Sequence, residues 1–172
     1  MSDLQKFYQS ILNIRQQNSA FDTIKSIVQE ERNLIYEHTK DLTGYCKYIA
    51  TQISTRLKEK NIKTYKIDLK DIVSIDHTIL IAEYIENNNL KRILIDPTYS
   101  QFTKNENYKL INLPVWPSEK LDRNFLTTLL NDGIIEIDDV SFKHYLNSFG
   151  PSNYEIYLDD LLYQQLGIKT KR

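Results

Sequence analysis

The sequence is poor in the residues that build disulfide scaffolds, zinc clusters and phosphate-binding loops. Its 172 residues include one cysteine, four glycines and four prolines. A single thiol cannot form an internal disulfide, and alone it cannot supply a cysteine-rich zinc site. Four scattered glycines exclude a glycine-rich phosphate loop. These absences leave Cys46 as the one candidate for thiol chemistry.

An excess of charge of one sign and long apolar runs are lacking as well. Lysine and arginine total 22, aspartate and glutamate total 23, and the formal net charge is -1. This balance argues against a nucleic-acid-binding domain, which would carry a basic excess or stripe. Apolar stretches such as residues 79–82 are far too short to span a bilayer, so we expect no membrane partner. The first residues show no basic region followed by an apolar run, and we expect no secretory signal.

What is present fits one folded domain over residues 1–172. Hydrophobic residues make up 41% and charged residues 26%, enough to bury a core. Apolar residues at helical spacing predict a helix over residues 3–17 and a second helix after Ser19, a candidate N-cap, before a polar link over residues 37–41. Beyond Cys46, apolar residues recur every four positions, which predicts a buried helix with the thiol in its first turn.

Alternating apolar and polar residues predict strands in the middle of the chain. Residues 65–69 predict one strand. Residues 77–84 and 92–95 flank an asparagine turn at residues 87–89, and together they predict a β-hairpin. A further short strand is expected over residues 108–113.

The last third of the chain again shows helical spacing. Ser118 is a candidate N-cap, and Gly133 is expected to end the helix that follows. Residues 134–137 predict a short strand, residues 138–139 offer an aspartate N-cap for the next helix, and a final helix is expected over residues 154–166. The fold class is therefore predicted as α+β, with helices first, an antiparallel sheet in the middle and helices last.

Three residues occupy positions that favour a common site. The start of a helix lowers the pKa of a thiol such as that of Cys46 and so favours the thiolate. His77 starts one strand of the hairpin and Asp96 ends the other, so both are expected at the open end. A carboxylate fixes the tautomer of an imidazole and raises its basicity. Next to Cys46, such a histidine would complete a triad for acyl transfer.

Each of these residues also has a simpler interpretation. A lone cysteine often packs as a small apolar residue, and the Asp96-Pro97 pair often starts a turn. His77 could bond a main-chain carbonyl. Taken jointly, the three positions favour the triad. His38 and His144 lack the spacing of metal ligands, so we expect no metal site and no cofactor.

Three segments resemble the motif blocks of the papain-like/transglutaminase-like cysteine superfamily. They read TGYC at residues 43–46, DHTILI at 76–81 and ILIDPTYSQF at 93–102. The last is particularly similar to papain-fold bacterial toxin and effector domains, including protein-glutamine deamidases. The resemblance implies a papain-like fold with the nucleophile at the start of a central helix. It places the catalytic core motifs in residues 40–103 and leaves a C-terminal helical extension over residues 118–166.

The resemblance also implies a role for each residue. Cys46 would be the nucleophile, His77 the general base and later the acid, and Asp96 the orienting carboxylate. The oxyanion hole would use the main-chain N–H of Cys46 and a second donor. Papain-type enzymes supply that donor from a glutamine shortly before the cysteine, and residues 37–45 contain none. The candidates for the second donor and for substrate contacts are Tyr45, Gln101 and Trp116.

These assignments imply a cysteine-dependent amide hydrolase, either a protein-glutamine deamidase or a cysteine peptidase, with a protein or peptide substrate. Two alternatives stay open. One is a transglutaminase-like acyltransferase, and the other is a non-catalytic α+β protein-binding module in which Cys46 belongs to the core. The single reduced thiol and the start of the chain predict a cytoplasmic location, and the effector resemblance adds delivery into another cell as a second route.

Overall fold

A computed structural model describes residues 2–8, 19–39, 44–102, 123–149 and 155–167. Residues 3–8 are helical. The remaining helices and strands are α1 (Ala20–Thr39), α2 (Cys46–Glu59), β1 (Lys63–Asp68), α3 (Lys70–Val73), β2 (Thr78–Glu86), β3 (Asn89–Ile95), a 3-10 turn (Tyr99–Phe102), α4 (Arg123–Asp132), β4 (Ile134–Glu136), α5 (Asp139–Asn147) and α6 (Leu158–Gln165).

Some sequence-based predictions fall on other parts of the chain. The rest of the first helix, the strand expected over residues 108–113, Trp116 and the Ser118 N-cap all lie outside the described residues. Within the described residues the α+β class is confirmed, because helices flank an antiparallel sheet of four strands. Among the same residues, no helix is both long enough and apolar enough to cross a membrane.

The sheet has its strands in chain order, β1-β2-β3-β4, and each pair is antiparallel. The predicted hairpin is confirmed, with Leu80 opposite Ile95 in β2 and β3. Asn87 and Asn88 form its turn with φ angles of 51° and 65°. Asparagine tolerates this left-handed region better than other non-glycine residues, which is why the turn falls here.

The alternation of side chains along the strands divides the core into two clusters. The first, which we call the aliphatic face, packs α1 and α2 on the sheet through buried Ile, Leu, Val and Ala residues. The second, which we call the aromatic face, packs α4, α5 and α6 on the opposite side and includes buried tyrosine and phenylalanine rings. Neighbouring residues such as Leu80 and Ile81 therefore belong to different faces, as strand geometry requires.

Side-chain caps define the starts of α1 and α5, as the sequence predicts. The Ser19 hydroxyl accepts a hydrogen bond from the Asp22 amide at 3.2 Å at the start of α1. Asp138 and Ser141 form a reciprocal capping box at the start of α5. One end differs from expectation: α1 continues to Thr39, so most of the polar stretch expected to link two helices is the last turn of a helix.

Gly133 ends α4 with a φ of +74° and lies against the sheet. A Cβ atom at this position would approach Val28 Cγ1 to 3.1 Å and Pro97 Cα to 3.2 Å. The residue is therefore constrained both by backbone angle and by close packing. The region predicted as a C-terminal helical extension thus contributes β4 to the sheet and three helices to the aromatic face.

Candidate active site

Cys46 is the first residue of α2, as predicted. Gly44 adopts a φ of +83° two residues earlier, which lets the chain turn into the helix. Tyr45 at the N-cap makes no side-chain capping bond, and the first turn contains no acidic residue. Neither kind of group therefore competes with the sulfur or a substrate oxygen for the main-chain N–H groups and the partial positive charge of the helix start. The thiol itself is half-buried.

His77 and Asp96 meet at the open end of the hairpin, as predicted. His77 immediately precedes β2 and Asp96 immediately follows β3, and Nε2 of the imidazole lies 2.7 Å from Oδ1 of the carboxylate. Both side chains are fully buried. If the strand register is extended by one residue, Asp96 lies opposite Ile79 and diagonal to His77 on the same face.

Main-chain hydrogen bonds continue the sheet through both residues. The His77 carbonyl accepts from the Leu69 amide at 2.8 Å, and the Asp96 amide donates to the Gly133 carbonyl at 2.9 Å. The two functional side chains therefore project from backbone that is held on the β1 side and on the β4 side. A rigid support of this kind fixes the geometry of the pair.

Tyr145 of α5 completes the surroundings of the carboxylate. Its hydroxyl donates to Asp96 Oδ2 at 2.6 Å, and both groups are buried. Tyr99 donates to the Ser148 hydroxyl at 2.7 Å, and Ser148 donates to the Tyr145 carbonyl at 2.6 Å. The helical spacing of the sequence places Tyr145 in the core but does not reveal its partner. A buried tyrosine hydroxyl needs an acceptor, and this requirement was the one indication that Tyr145 has a polar partner.

The thiol and the imidazole influence each other's protonation. The hydrogen bond with His77 holds the pKa of the Cys46 thiol below its ordinary value, against the effect of burial, and the main-chain N–H of Thr78 adds to this lowering. Burial opposes the charged imidazole, but the charge and hydrogen bond of Asp96, with a further contribution from Cys46, raise the pKa of His77 to about 10. Both shifts favour a thiolate–imidazolium pair.

Gln101 lies beside the same imidazole. Its Nε2 is 3.3 Å from Nδ1 of His77 and donates to the Thr98 hydroxyl at 3.1 Å. Because Nε2 of His77 is occupied by Asp96, Nδ1 is the nitrogen available to the Cys46 thiol. The Gln101 amide is therefore next to the atoms that would react.

The other two candidates for substrate contacts are Tyr45 and Trp116. The Tyr45 ring packs against the aliphatic face, and a role for it in substrate binding stays a prediction. Trp116 lies outside the described residues. Of the three candidates, Gln101 is the one whose polar group the structure brings to His77.

Aromatic rings enclose the buried pair. The Phe102 ring meets the His77 ring edge-on at 4.8 Å between centroids, and the Phe149 ring lies at 6.2 Å. Phe149 also packs edge-on against Tyr145 at 5.1 Å. Exclusion of water by such rings strengthens the interaction between the imidazole and the carboxylate.

A cleft of about 520 Å³ opens beside the thiol. Its lining includes Lys47 and Thr78, which directly follow Cys46 and His77 in the chain. The main-chain N–H groups of both residues contact the thiol, so the cleft borders the surroundings of the sulfur. Within the described part of the chain, no group of three or more histidine, cysteine, aspartate and glutamate side chains is arranged to hold a metal ion.

Comparisons with protein-family models, with curated proteins and with solved structures give no match for this chain.

Proposed function

We propose that the protein is a cysteine-dependent amide hydrolase that acts on a protein or peptide through Cys46, His77 and Asp96. One observation carries the proposal. A fully buried imidazole–carboxylate pair is joined at 2.7 Å, and its imidazole lowers the pKa of the thiol at the start of a helix. Buried ionisable groups cost free energy unless they are paired, and this pair adjoins the only thiol in the sequence.

The chemistry follows from the protonation states. The Cys46 thiolate would attack the carbonyl carbon of an amide, forming a C–S bond and a tetrahedral oxyanion. The main-chain N–H of Cys46 and the Gln101 amide would donate to that oxygen. Protonated His77 would give its proton to the departing nitrogen, which leaves as the C–N bond breaks. Asp96 would keep the imidazolium oriented throughout.

Hydrolysis of the thioester would complete the cycle. Neutral His77 would take a proton from water, whose oxygen attacks the thioester carbonyl. The C–S bond would then break, and the acid and the thiol would be regenerated. The leaving group in the first half is ammonia for a glutamine side chain and an amine for a peptide bond. The same three residues serve both, and the groove selects between them.

The papain-like architecture and the role in deamidation or proteolysis are parts of this proposal, and so is a cytoplasmic site of action. The sequence motifs around Cys46, His77 and Asp96 support them. The position of Cys46 at the start of a helix that packs on the sheet also supports this architecture.

Mass spectrometry of protein substrates tests the proposal. Cell extracts are incubated with the protein or with Cys46→Ala, and peptides are compared. Conversion of glutamine to glutamate with the active protein alone would identify a deamidase, and new chain termini would identify a peptidase. Products that form equally with Cys46→Ala, or an active protein that forms none across the extract, would contradict the proposal.

A further inference from the structure

The cleft beside Cys46 continues into a second cavity. The first, of about 520 Å³, is bordered by Lys47 and Thr78, and the second has a volume of about 340 Å³. They share wall residues from α3 and α6, namely Asp71, Ile72, Leu161 and Gln164. The two cavities therefore form one groove that runs between α3 and α6 from Lys47 and Thr78, the two residues whose main-chain N–H groups contact the thiol.

The charge of the groove changes along its length. Near the thiol, Lys47 and Lys66 balance two aspartates. In the second cavity the charged lining residues are Asp71, Glu155 and Asp160, and none of the lysines and arginines that the structure describes lines it.

In the described part of the chain, the three carboxylates of the second cavity are not paired with a cation. Among the described residues none of them forms an ion pair, whereas the adjacent Asp159 pairs with Arg92 at 2.7 Å. The second cavity therefore carries three negative charges without a cation from the described part of the chain.

Part of the wall of the second cavity is apolar. Ile72, Ile156 and Leu161 line it together with the carboxylates. Lysine and arginine combine an aliphatic stem with a cationic head, and they bury the stem against apolar surface while the head stays near charge or water. Apolar walls with acidic groups suit such a side chain better than an apolar or an acidic one.

The floor of the groove near the thiol favours a polypeptide as the ligand. β1 is an edge of the sheet, and its residues Lys66, Ile67 and Asp68 line the first cavity. The hydrogen bond from the Leu69 amide to the His77 carbonyl fixes the ladder pattern, so the main-chain groups of Lys66 and Asp68 point away from β2. Within the described residues these groups have no main-chain partner. An extended peptide pairs with such an edge.

We propose that the groove binds an extended segment of the substrate protein and that the second cavity takes a lysine or arginine side chain flanking the reacting amide. This inference rests on the proposed function of Cys46 and names its substrate class. Asp71, Glu155 and Asp160 are the residues that determine this specificity.

Paired peptidyl acyloxymethyl ketones test the inference without knowledge of the natural substrate. The Cys46 thiolate attacks the ketone's methylene carbon, a C–S bond forms, and a carboxylate leaves as the C–O bond breaks. The two probes differ only in lysine or norleucine at the flanking positions, and the labelling rate is read by intact mass. We expect the lysine probe to react about tenfold faster, the sum of two or three partly exposed charge pairs.

Variants of the lining residues test whether the second cavity causes the preference for the lysine probe. In Asp71→Asn/Asp160→Asn the two probes should react at nearly equal rates. The control Glu86→Gln removes one negative charge, as Glu155→Gln does, at an exposed residue at the far end of β2, and it should keep the full preference. Raising the ionic strength should reduce the preference of the unchanged protein, because the charges are near solvent. If the double variant fails to fold, Glu155→Gln gives a second measurement of how the cavity affects the preference.

The outcomes separate this inference from the function on which it rests. Equal rates for both probes, with Cys46 still reactive toward iodoacetamide at mildly acidic pH, would overturn the specificity cavity and leave the proposed function in place. A preference that persists undiminished in the folded double variant or in Glu155→Gln would overturn the assignment to this cavity. A thiol that is unreactive toward all three reagents would overturn both.

Discussion

The two faces of the sheet are built on different principles. The buried residues of the aliphatic face are isoleucine, leucine, valine and alanine, and they need only close packing. The aromatic face buries an imidazole, a carboxylate and two tyrosine hydroxyls, each with a hydrogen-bond partner. Burial of polar groups costs free energy even when they are paired, so the second face carries groups that stability alone does not require.

The comparison assigns a role to each face. Close packing of apolar side chains on the aliphatic face supplies hydrophobic stabilisation and positions α2, with Cys46 at its start. The aromatic face holds the imidazole and carboxylate that act on that thiol. Substitutions that damage one face and leave the chemistry of the other intact test this division.

Removal of one member of the buried pair should have the largest effect. Asp96→Leu leaves His77 Nε2 and the Tyr145 hydroxyl without their acceptor. We expect it to lower the free energy of unfolding by about 3–5 kcal/mol, as breaking buried pairs does. Urea denaturation followed by circular dichroism measures the loss.

A matched triple variant sharpens this prediction. His77→Leu/Asp96→Leu/Tyr145→Phe removes all three polar partners together, so none of the three is left buried without the others. We expect its stability to lie within about 2 kcal/mol of the unchanged protein, with alkylation of Cys46 at mildly acidic pH lost. A triple variant as unstable as Asp96→Leu alone would show that the polar cluster is needed for the fold.

Truncation on the aliphatic face should cost somewhat less stability. Ile53 of α2 is fully buried, and Ile53→Ala should lower the free energy of unfolding by about 2–5 kcal/mol through lost contacts and a cavity. The alkylation pKa of Cys46 in the folded protein should not change. Ile85→Ala, at a position 74% exposed, is the control and should change stability by less than about 0.5 kcal/mol. A shifted pKa in Ile53→Ala would contradict the division between the faces.

The smallest of these effects compares two tyrosines on the aromatic face. Tyr145→Phe removes a hydrogen bond to a carboxylate and should cost about 1.5–3 kcal/mol. Tyr99→Phe removes a bond to a neutral hydroxyl and should cost about 0.5–1.5 kcal/mol. Thermal and urea unfolding of the two variants gives the difference. Equal costs would argue that the bond from Tyr145 to Asp96 is no stronger than a bond between neutral groups.

The hairpin was predictable because its two strands are neighbours in the chain and are joined by a short turn. The asparagine turn fixes the register, and similar distances from the turn bring His77 and Asp96 to one end. The helix start at Cys46 was also predictable, from apolar residues at intervals of four. Local patterns therefore place all three residues of the proposed triad.

Contacts between distant segments were not predictable in this way. Tyr145 is 49 residues from Asp96 in the chain, and their contact depends on how α5 packs on the sheet. Gln101 was one of three candidates of similar standing, and only the geometry of the 3-10 turn brings its amide to His77. Helical spacing says that a side chain is buried but does not name the atom it meets.

The pH dependence of Cys46 alkylation by iodoacetamide tests the central claim most directly. Reactivity rises as the pH rises through the pKa of the thiol, so the lowered pKa of Cys46 should shift the curve toward acidic pH. In His77→Ala the hydrogen bond and the positive charge are gone. The midpoint of the curve should therefore return to that of an ordinary thiol, about pH 8.5. If both proteins gave the same curve with an ordinary midpoint, the proposed thiolate–imidazolium pair would be contradicted.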